Sequence, residues 1–359
     1  MLIIRALTLT YDEVRDLSDV KKDLELSERA LVSTGFTPWT VRVTLPDDVS
    51  QEVIKYLCGS KYLFSAYHAS VGDVSRESLR KILECGNGFA TLLISNSSEV
   101  REAAELLVSM VSELGVDVAT RLGFTIGDYV ETPYYPLSTP KRYGVSIALR
   151  YANDFLRSLK TQENLKKAYD EISKSLKRLD NILSSVFKNI EIPYLGIDVS
   201  LSPWMDESVV PIIEFLSGAP FPSAGSAWGV RRLNAMLQEL SKEIKSLGFN
   251  ELMLPVGEDN NLMRLVREGS LKLPHLTFLT AYCLVGVDMV ALPGGAEVVE
   301  QVLKDVLAAY EVKKKPVGVR VIPAFNAREV RIARFGDHTG NLNVVRHYQS
   351  LKSILNDFP

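Results

Sequence analysis

An eight-residue pattern occurs twice in this chain and restricts the folds that the chain can adopt. The copies are residues 196–203 (GIDVSLSP) and 286–293 (GVDMVALP), each with a glycine, an acid two residues later and a final proline. The residues between are mostly apolar, as in a strand buried on both faces, and proline cannot donate to a strand ladder. We therefore predict two buried parallel strands, each with one aspartate and a loop at its C-terminal end, where ligands bind in parallel α/β folds.

Strands alternate with helices along the rest of the chain. Ten strands are predicted, at residues 2–9, 37–45, 62–69, 89–94, 116–124, 144–149, 251–255 and 317–323 and at the two copies of the pattern. Such alternation favours an α/β barrel or a large doubly wound sheet. Because no low-complexity linker interrupts it, we expect residues 1–359 to form a single α/β barrel domain.

A charged helical stretch, residues 150–190, is expected to form an appended helical hairpin with a break near residues 161–163. Its apolar residues recur every three or four positions, which is ordinary helix packing or, alternatively, an interface for a homo-oligomer. The loop 128–136 carries three tyrosines and two prolines. It is either a packed surface loop or a substrate lid.

Composition excludes several classes of function. The 359 residues are 46% hydrophobic and 24% charged, as in a soluble globular protein, and the net charge of −3 offers no basic field for nucleic acid. No apolar run reaches the ~20 residues of a membrane span, and the N-terminus lacks the layout of a signal peptide. Three cysteines without C-x-x-C spacing argue against a disulfide framework or a zinc knuckle and predict a reducing, cytoplasmic location.

The acids of the repeated pattern, Asp198 and Asp288, are candidate catalytic residues. They could form an acid/base pair, bind a divalent metal ion together, or accept hydrogen bonds from a substrate. Alternatively, each caps the N–H groups of a neighbouring loop. Glu258, at the end of a short strand, is the third candidate carboxylate, although Glu258 or Asp259 could instead be a helix N-terminal acid.

Several residues are candidates for substrate binding. Ser200 and Ser202 share a strand face with Asp198, and Trp204 follows them. Arg320 is in the middle of an apolar strand, so its charge requires a buried carboxylate or a substrate anion.

Two glycine-containing turns, Gly225-Ser226 and Gly294-Gly295, precede helices whose free N–H groups could hold a phosphate or carboxylate. Asp337 and His338 could close the site from the C-terminal segment. The chain has no nucleotide-binding loop and no nucleophilic-serine motif.

The segments GIDVSLSPWMDESV, LPVGEDNNL, LTFLTAYCLVGVDMVALPGG and GVRVIPA, with Gly336-Asp337, IIRALTL and TPYYP, resemble a bacterial and archaeal family of unknown function, the seven-one-one family. The resemblance covers nearly the whole chain. It implies the ten-stranded α/β barrel of pyruvate formate-lyase-like glycyl-radical enzymes. It also implies a small amino-acid-sensing, ACT-type protein as a regulatory partner.

The chain departs from glycyl-radical enzymes because it lacks their Arg-Val-x-Gly-Tyr motif, and residues 340–343 (GNLN) differ from the glycine-rich tail of relatives. Radical chemistry is therefore disfavoured. We expect an enzyme that acts on a small anionic metabolite by acid/base or metal-assisted chemistry. The alternatives are a metabolite-binding regulatory protein without turnover and a barrel with a purely structural role.

Overall fold

Ten strands form one hydrogen-bonded sheet in the computed structural model, which describes residues 2–162, 164–283, 285–335 and 338–346. The strands are β1 (Ile3–Thr10), β2 (Thr40–Thr44), β3 (Leu63–Ser70), β4 (Gly88–Ile94), β5 (Leu122–Ile126), β6 (Gly144–Arg150), β7 (Tyr194–Asp198), β8 (Met253–Pro255), β9 (Val285–Leu292) and β10 (Val317–Pro323). Their order is β7-β6-β1-β2-β3-β4-β5-β10-β9-β8. The prediction of a mixed α/β protein with ten alternating strands is confirmed.

The sheet consists of two parallel blocks that run in opposite directions. Strands β1 to β5 are mutually parallel, and they meet β6 and β10 in antiparallel pairs. The pairs β6–β7, β8–β9 and β9–β10 are parallel again. The C-terminal ends of β6 to β10 therefore lie at the same side of the sheet as the N-terminal ends of β1 to β5.

The described residues contain no strand ladder between the two edge strands, β7 and β8, so closure into a barrel is not established. Isolated parallel bridges do join the segments that flank these edges. Ile197 pairs with Ser246, and Leu201 pairs with Leu252.

Helices connect the strands: α1 (Leu17–Val32), α2 (Gln51–Leu57), α3 (Arg76–Glu84), α4 (Val100–Leu114), α5 (Ala152–Gln162), α6 (Leu165–Asn189), α7 (Val210–Ser217), α8 (Ser226–Lys242), α9 (Asn260–Glu268), α10 (Leu273–Thr280) and α11 (Ala296–Lys313). Helix α4 illustrates why they form. Its residues Val100, Ala103, Ala104 and Leu107 are buried, and their spacing of three or four places them on one face. The charged stretch 150–190 contains α5, which ends at Gln162, and α6, which begins at Leu165 after its cap Asn164.

The loop at residues 132–139 packs inside the protein rather than on its surface. Residues 132–139 are all buried, and Tyr134 and Leu137 join side chains of β1, β6, β8 and β9 in a hydrophobic cluster separate from the main core. Carbonyl groups of the loop accept hydrogen bonds from three strands, through Thr8 Oγ1, Arg42 Nη1 and Thr91 Oγ1. Of the predicted loop 128–136, residues 132–136 are therefore packed inside the protein, whereas residues 128–131 are exposed or partly exposed.

Three local features differ from the sequence-based expectations. Residues Val116–Thr120 form a 3₁₀ turn before β5, and β7 ends at Asp198 rather than at the proline of its pattern. A further pair, β11 (Glu329–Phe335) and β12 (His338–Asn343), forms a separate antiparallel hairpin.

Cys58 and Cys85 form a disulfide, with their Cα atoms 5.0 Å apart. The expectation drawn from cysteine spacing was therefore wrong, because α2 and α3 end at these two residues and the fold brings the ends together. The inference of a reducing compartment loses its support. No helix among the described residues is long and apolar enough to cross a membrane.

Candidate functional site

A cavity of about 350 Å³ lies where the C-terminal ends of β7 to β10 meet the N-terminal ends of β1 to β5. Its size is within the range of small-molecule sites. The wall combines charged and aromatic side chains, among them Arg5, Trp39, Arg42, Phe89, Arg121, Tyr134, Tyr135, Trp204, Glu258, Asp288 and Arg320. Ligands commonly bind at this end of parallel strands.

Four buried charged groups form a chain of alternating sign along the cavity. Arg320 binds Asp288 through two hydrogen bonds, Nε–Oδ1 at 2.6 Å and Nη2–Oδ2 at 3.0 Å, and donates from Nη2 to Glu258 Oε1 at 2.6 Å. Arg5 Nη2 donates to the other oxygen of Glu258. Each side chain is at most 9% exposed. Burial of this network is sustainable because every charge has an opposite partner.

Two β-bulges lie beside this network. The register of β1 and β6 shifts between Ile4 and Ala6, which leaves Arg5 as the extra residue. The register of β9 and β10 shifts after the Asp288–Arg320 pair, and Met289 takes a φ of 50°. Bulges re-aim side chains and occur frequently near functional sites. Here they lie next to an arginine and a carboxylate of the cavity.

Arg42 carries a charge that no described carboxylate pairs with. It lines the cavity, is 7% exposed, and donates to two neutral acceptors, Thr40 Oγ1 and Pro133 O, each at 3.0 Å. Its guanidinium lies 5.1 Å from the ring centroid of Tyr135. Burial lowers the pKa of Arg42 to about 10, and the charge of Arg5 acts in the same direction.

The pKa values of the two carboxylates of the cavity, Glu258 and Asp288, are shifted in opposite directions. Burial acts to raise the pKa of Glu258, but the charges and hydrogen bonds of Arg5 and Arg320 bring it below the ordinary value. Burial raises the pKa of Asp288, whose hydrogen-bonded cation among the described residues is the shared Arg320 and which also feels the negative charge of Glu258. Asp288 is therefore the carboxylate that takes up a proton more readily.

Asp198 does not line the cavity. Its side chain is fully buried and accepts hydrogen bonds from the backbone of Ser200, Phe249 and Asn250 and from the hydroxyls of Ser200 and Thr132. Burial raises its pKa despite these bonds. Its contacts are those of a residue that caps the loop before β8 and holds it to the end of β7. The structure therefore does not bring Asp198 and Asp288 together in one site.

The other candidates are distributed over several places. Ser202 and Trp204 line the cavity with Arg320, and Ser202 Oγ accepts from Arg5 Nη1 at 3.1 Å. Ser200 is bound to Asp198 and Glu251 N instead. Asp259 caps α9 by accepting from Asn261 and Leu262, so the helix-cap role belongs to this residue, whereas Glu258 points to the cavity.

The glycine turns lie away from the cavity wall. Gly225 and Ser226 begin α8, and Gly294 and Gly295 precede α11, where the backbone of Gly294 pairs with Phe325. Asp337 lies outside the described residues. His338 begins β12, and its side chain is outside the description. The anion-binding role of these positions stays a prediction.

Sequence reasoning missed Arg5 and Arg42, and it included Tyr134 only as part of the loop 128–136. Arg5 interrupts an apolar strand, IIRALTL, in the same way as Arg320, so the same argument could have found it. Arg42 alternates with valines as on a solvent-facing strand, and only the tertiary structure shows that this face is buried. Among the described residues, no three His, Cys, Asp or Glu side chains are grouped as a metal-binding site.

Comparisons with known proteins identify the family but no activity. The chain is 31% identical over 175 residues to a UPF0210 protein of Desulforudis audaxviator, covering 46% of this chain and 39% of that protein. It is 26% identical over 292 residues to a UPF0210 protein of Pyrobaculum aerophilum, covering 72% and 63%. In both cases the chain spans less than two thirds of its relative. The family described as "Uncharacterised ACR (DUF711)" matches residues 135–336, more than half of the chain, and the chain therefore belongs to this family.

Proposed function

We propose that the protein is an enzyme that binds a small anionic metabolite in the cavity and acts on it by acid/base chemistry. The observation that carries the proposal is the buried charge at this site. Three guanidiniums, those of Arg5, Arg42 and Arg320, face two carboxylates, those of Glu258 and Asp288. Among these five described side chains, one buried positive charge has no opposite partner, and a bound anion would neutralise it.

Asp288 is the proposed acid/base residue. The opposite pKa shifts of Asp288 and Glu258 resemble sites in which one carboxyl exchanges a proton and its neighbour stays ionised. Asp288 is 7% exposed and lines the cavity, so a ligand there could reach it. Glu258 would keep its charge and hold Arg5 and Arg320 in place.

We also propose that the sheet closes into a barrel with the cavity at one end. Three observations support closure: the Leu201–Leu252 bridge between segments next to β7 and β8, the Asp198 cap between the same segments, and the buried loop. This loop contacts strands in both blocks of the sheet. A loop of this kind would fill the interior of a closed sheet.

The enzyme proposal can be tested by incubating the protein with a cellular metabolite extract and following all ions by mass spectrometry. We expect one small anion to bind, to raise the Tm and to be consumed. Asp288→Asn should reduce consumption at least 100-fold, because general acid–base groups contribute roughly 10²–10⁴-fold. Asp12→Asn, on an exposed residue, is the matched control. Equal turnover by both variants would contradict the assignment of Asp288.

Binding without conversion would instead support the regulatory alternative. In that case the same anion should raise the Tm of the wild type and of Asp288→Asn, while no product accumulates with either protein. Absence of any stabilising anion would contradict both functions.

A further inference from the structure

We infer that the ligand of this cavity is a monocarboxylate with a flat, apolar body, bound with its carboxylate on Arg42. This inference rests on the proposed function and narrows it to a substrate class. Two independent observations carry it: the charge balance of the cavity and the arrangement of its aromatic side chains.

The charge balance indicates a single negative charge. Arg5 and Arg320 are paired with Glu258 and Asp288, so Arg42 is the guanidinium of this group that no described carboxylate pairs with. Lys61 binds Glu28 at 2.7 Å. Arg121 is only partly buried and donates from Nη1 to Leu83 O and Gly88 O. Among the described residues of the wall, Arg42 is therefore the buried guanidinium left to receive a negative charge, and a dianion would bring a second charge for which no such cation is present.

Arg42 has N–H groups, beyond those in its two hydrogen bonds, that can donate to a carboxylate. Its hydrogen bonds to Thr40 Oγ1 and Pro133 O come from Nε and Nη1. A guanidinium has five N–H groups in a planar fork that matches a carboxylate. The Nε group of Arg5, on the neighbouring strand, is also buried without a hydrogen-bond partner in the described structure.

The aromatic residues make the rest of the wall suitable for a flat group. Trp39 and Trp204 meet edge-to-face with ring centroids 4.4 Å apart, and Phe89 and Tyr135 lie 5.0 Å apart. All four line the cavity, whose volume of about 350 Å³ accommodates a ring with a short substituent. Aromatic side chains favour offset and edge-to-face contacts with a further ring.

The test uses tryptophan fluorescence in the full-length protein. Trp39 and Trp204 line the cavity, whereas Trp228 is 62% exposed on α8, so Trp228→Phe removes the signal remote from the site. The probes are benzoate, benzamide, phenyl phosphate and acetate. We expect benzoate to quench the fluorescence with a Kd at least ten-fold lower than each of the others. Benzamide lacks the charge, phenyl phosphate adds one, and acetate lacks the ring.

Variants at Arg42 test whether the carboxylate of benzoate binds to this residue. Arg42→Met should raise the Kd of benzoate at least ten-fold. Arg42→Lys should raise the Kd by less, because lysine keeps the positive charge but lacks the planar set of guanidinium N–H groups. Arg101→Met, on an exposed face of α4, is the matched control and should leave the Kd unchanged. Circular dichroism establishes that each variant is folded.

Phenyl phosphate or acetate binding as tightly as benzoate would overturn the inference, as would benzoate binding that Arg42→Met leaves unchanged. These failures are distinguishable from failure of the proposed function. If benzoate does not bind but another anion stabilises the protein in an Arg42-dependent way, the substrate class is wrong and the anion site remains. If no anion does so, both proposals fall.

Discussion

At the scale of single residues, the two aspartates of the repeated pattern have different surroundings although their local sequences match. Asp198 is enclosed by backbone N–H groups and hydroxyls, while Asp288 faces a cavity and an arginine. The pattern predicted two buried strands with carboxylates, and both strands are present. The pattern could not show how the two surroundings differ, because the partners Thr132, Phe249 and Asn250 of Asp198 lie 51 to 66 positions away in the chain.

Asp198→Asn should lower the free energy of unfolding by about 2–4 kcal/mol, because an amide has one acceptor atom and several donors would lose their partner. Benzoate affinity should stay within two-fold of the wild type, since Asp198 does not line the cavity. Urea unfolding and fluorescence titration measure the two effects. A stable variant that fails to bind would assign Asp198 to the site instead.

We predict that His68 makes the stability of the fold depend on pH. It is 8% exposed, its Nε2 group donates to Leu45 O at 3.2 Å, and burial lowers its pKa from 6.5 to about 4. The unfolded chain therefore takes up a proton between pH 6.5 and 4 that the folded protein does not. The stability due to neutral His68 is complete above pH 6.5 and is lost as pH falls towards 4, by up to about 3 kcal/mol.

His68→Gln should remove this part of the pH dependence while the amide keeps a donor for Leu45. Urea unfolding at pH 4.5 and pH 7 checks it. The loss of stability between these pH values should be smaller in the variant than in the wild type. An equal loss in both proteins would show that His68 is not the group that titrates.

At the scale of elements, the helices could be predicted because their apolar residues recur every three or four positions, and most sheet strands because they are short apolar runs. The burial of loop 132–139 could not be predicted, because its prolines and tyrosines have no period and its carbonyl groups are held by distant strands. The bulges at Arg5 and Met289 also escape a period-two analysis, since each inserts one residue into the alternation. Both bulges lie beside the cavity, so the irregular positions coincide with the candidate site.

The disulfide links the C-terminal ends of α2 and α3, and Gly86 and Asn87, which directly follow Cys85, form part of the cavity wall. Cross-linking positions separated by 27 residues restricts the unfolded chain by roughly 3–4 kcal/mol. Cys58→Ser should therefore reduce stability by about 2–4 kcal/mol. Dithiothreitol should have the same effect on the wild type and none on the variant. If the reductant leaves the wild type unchanged in urea unfolding, the bond does not form in solution.

At the scale of the whole molecule, the sheet brings together residues that lie far apart in the sequence. Arg5 and Glu258 are 253 positions apart, and Arg320 and Glu258 are 62 apart. The sequence could supply the strand count, the parallel character of the repeated strands and the need of Arg320 for an anion. It could not supply the partners, because strand order decides which chain segments meet. Because the family is described as uncharacterised, membership indicates no activity, and the proposed function is argued from the residues of the cavity alone.

The most direct test of the anion site is a crystal structure of the protein soaked with 4-bromobenzoate, in which the bromine is located by its anomalous scattering. We predict one bromine peak inside the cavity, between the aromatic side chains, with the carboxylate hydrogen-bonded to Arg42. Crystals of Arg42→Met soaked in the same way should lack the peak. A wild-type crystal with an empty cavity, or with bromine only at the protein surface, would contradict the account.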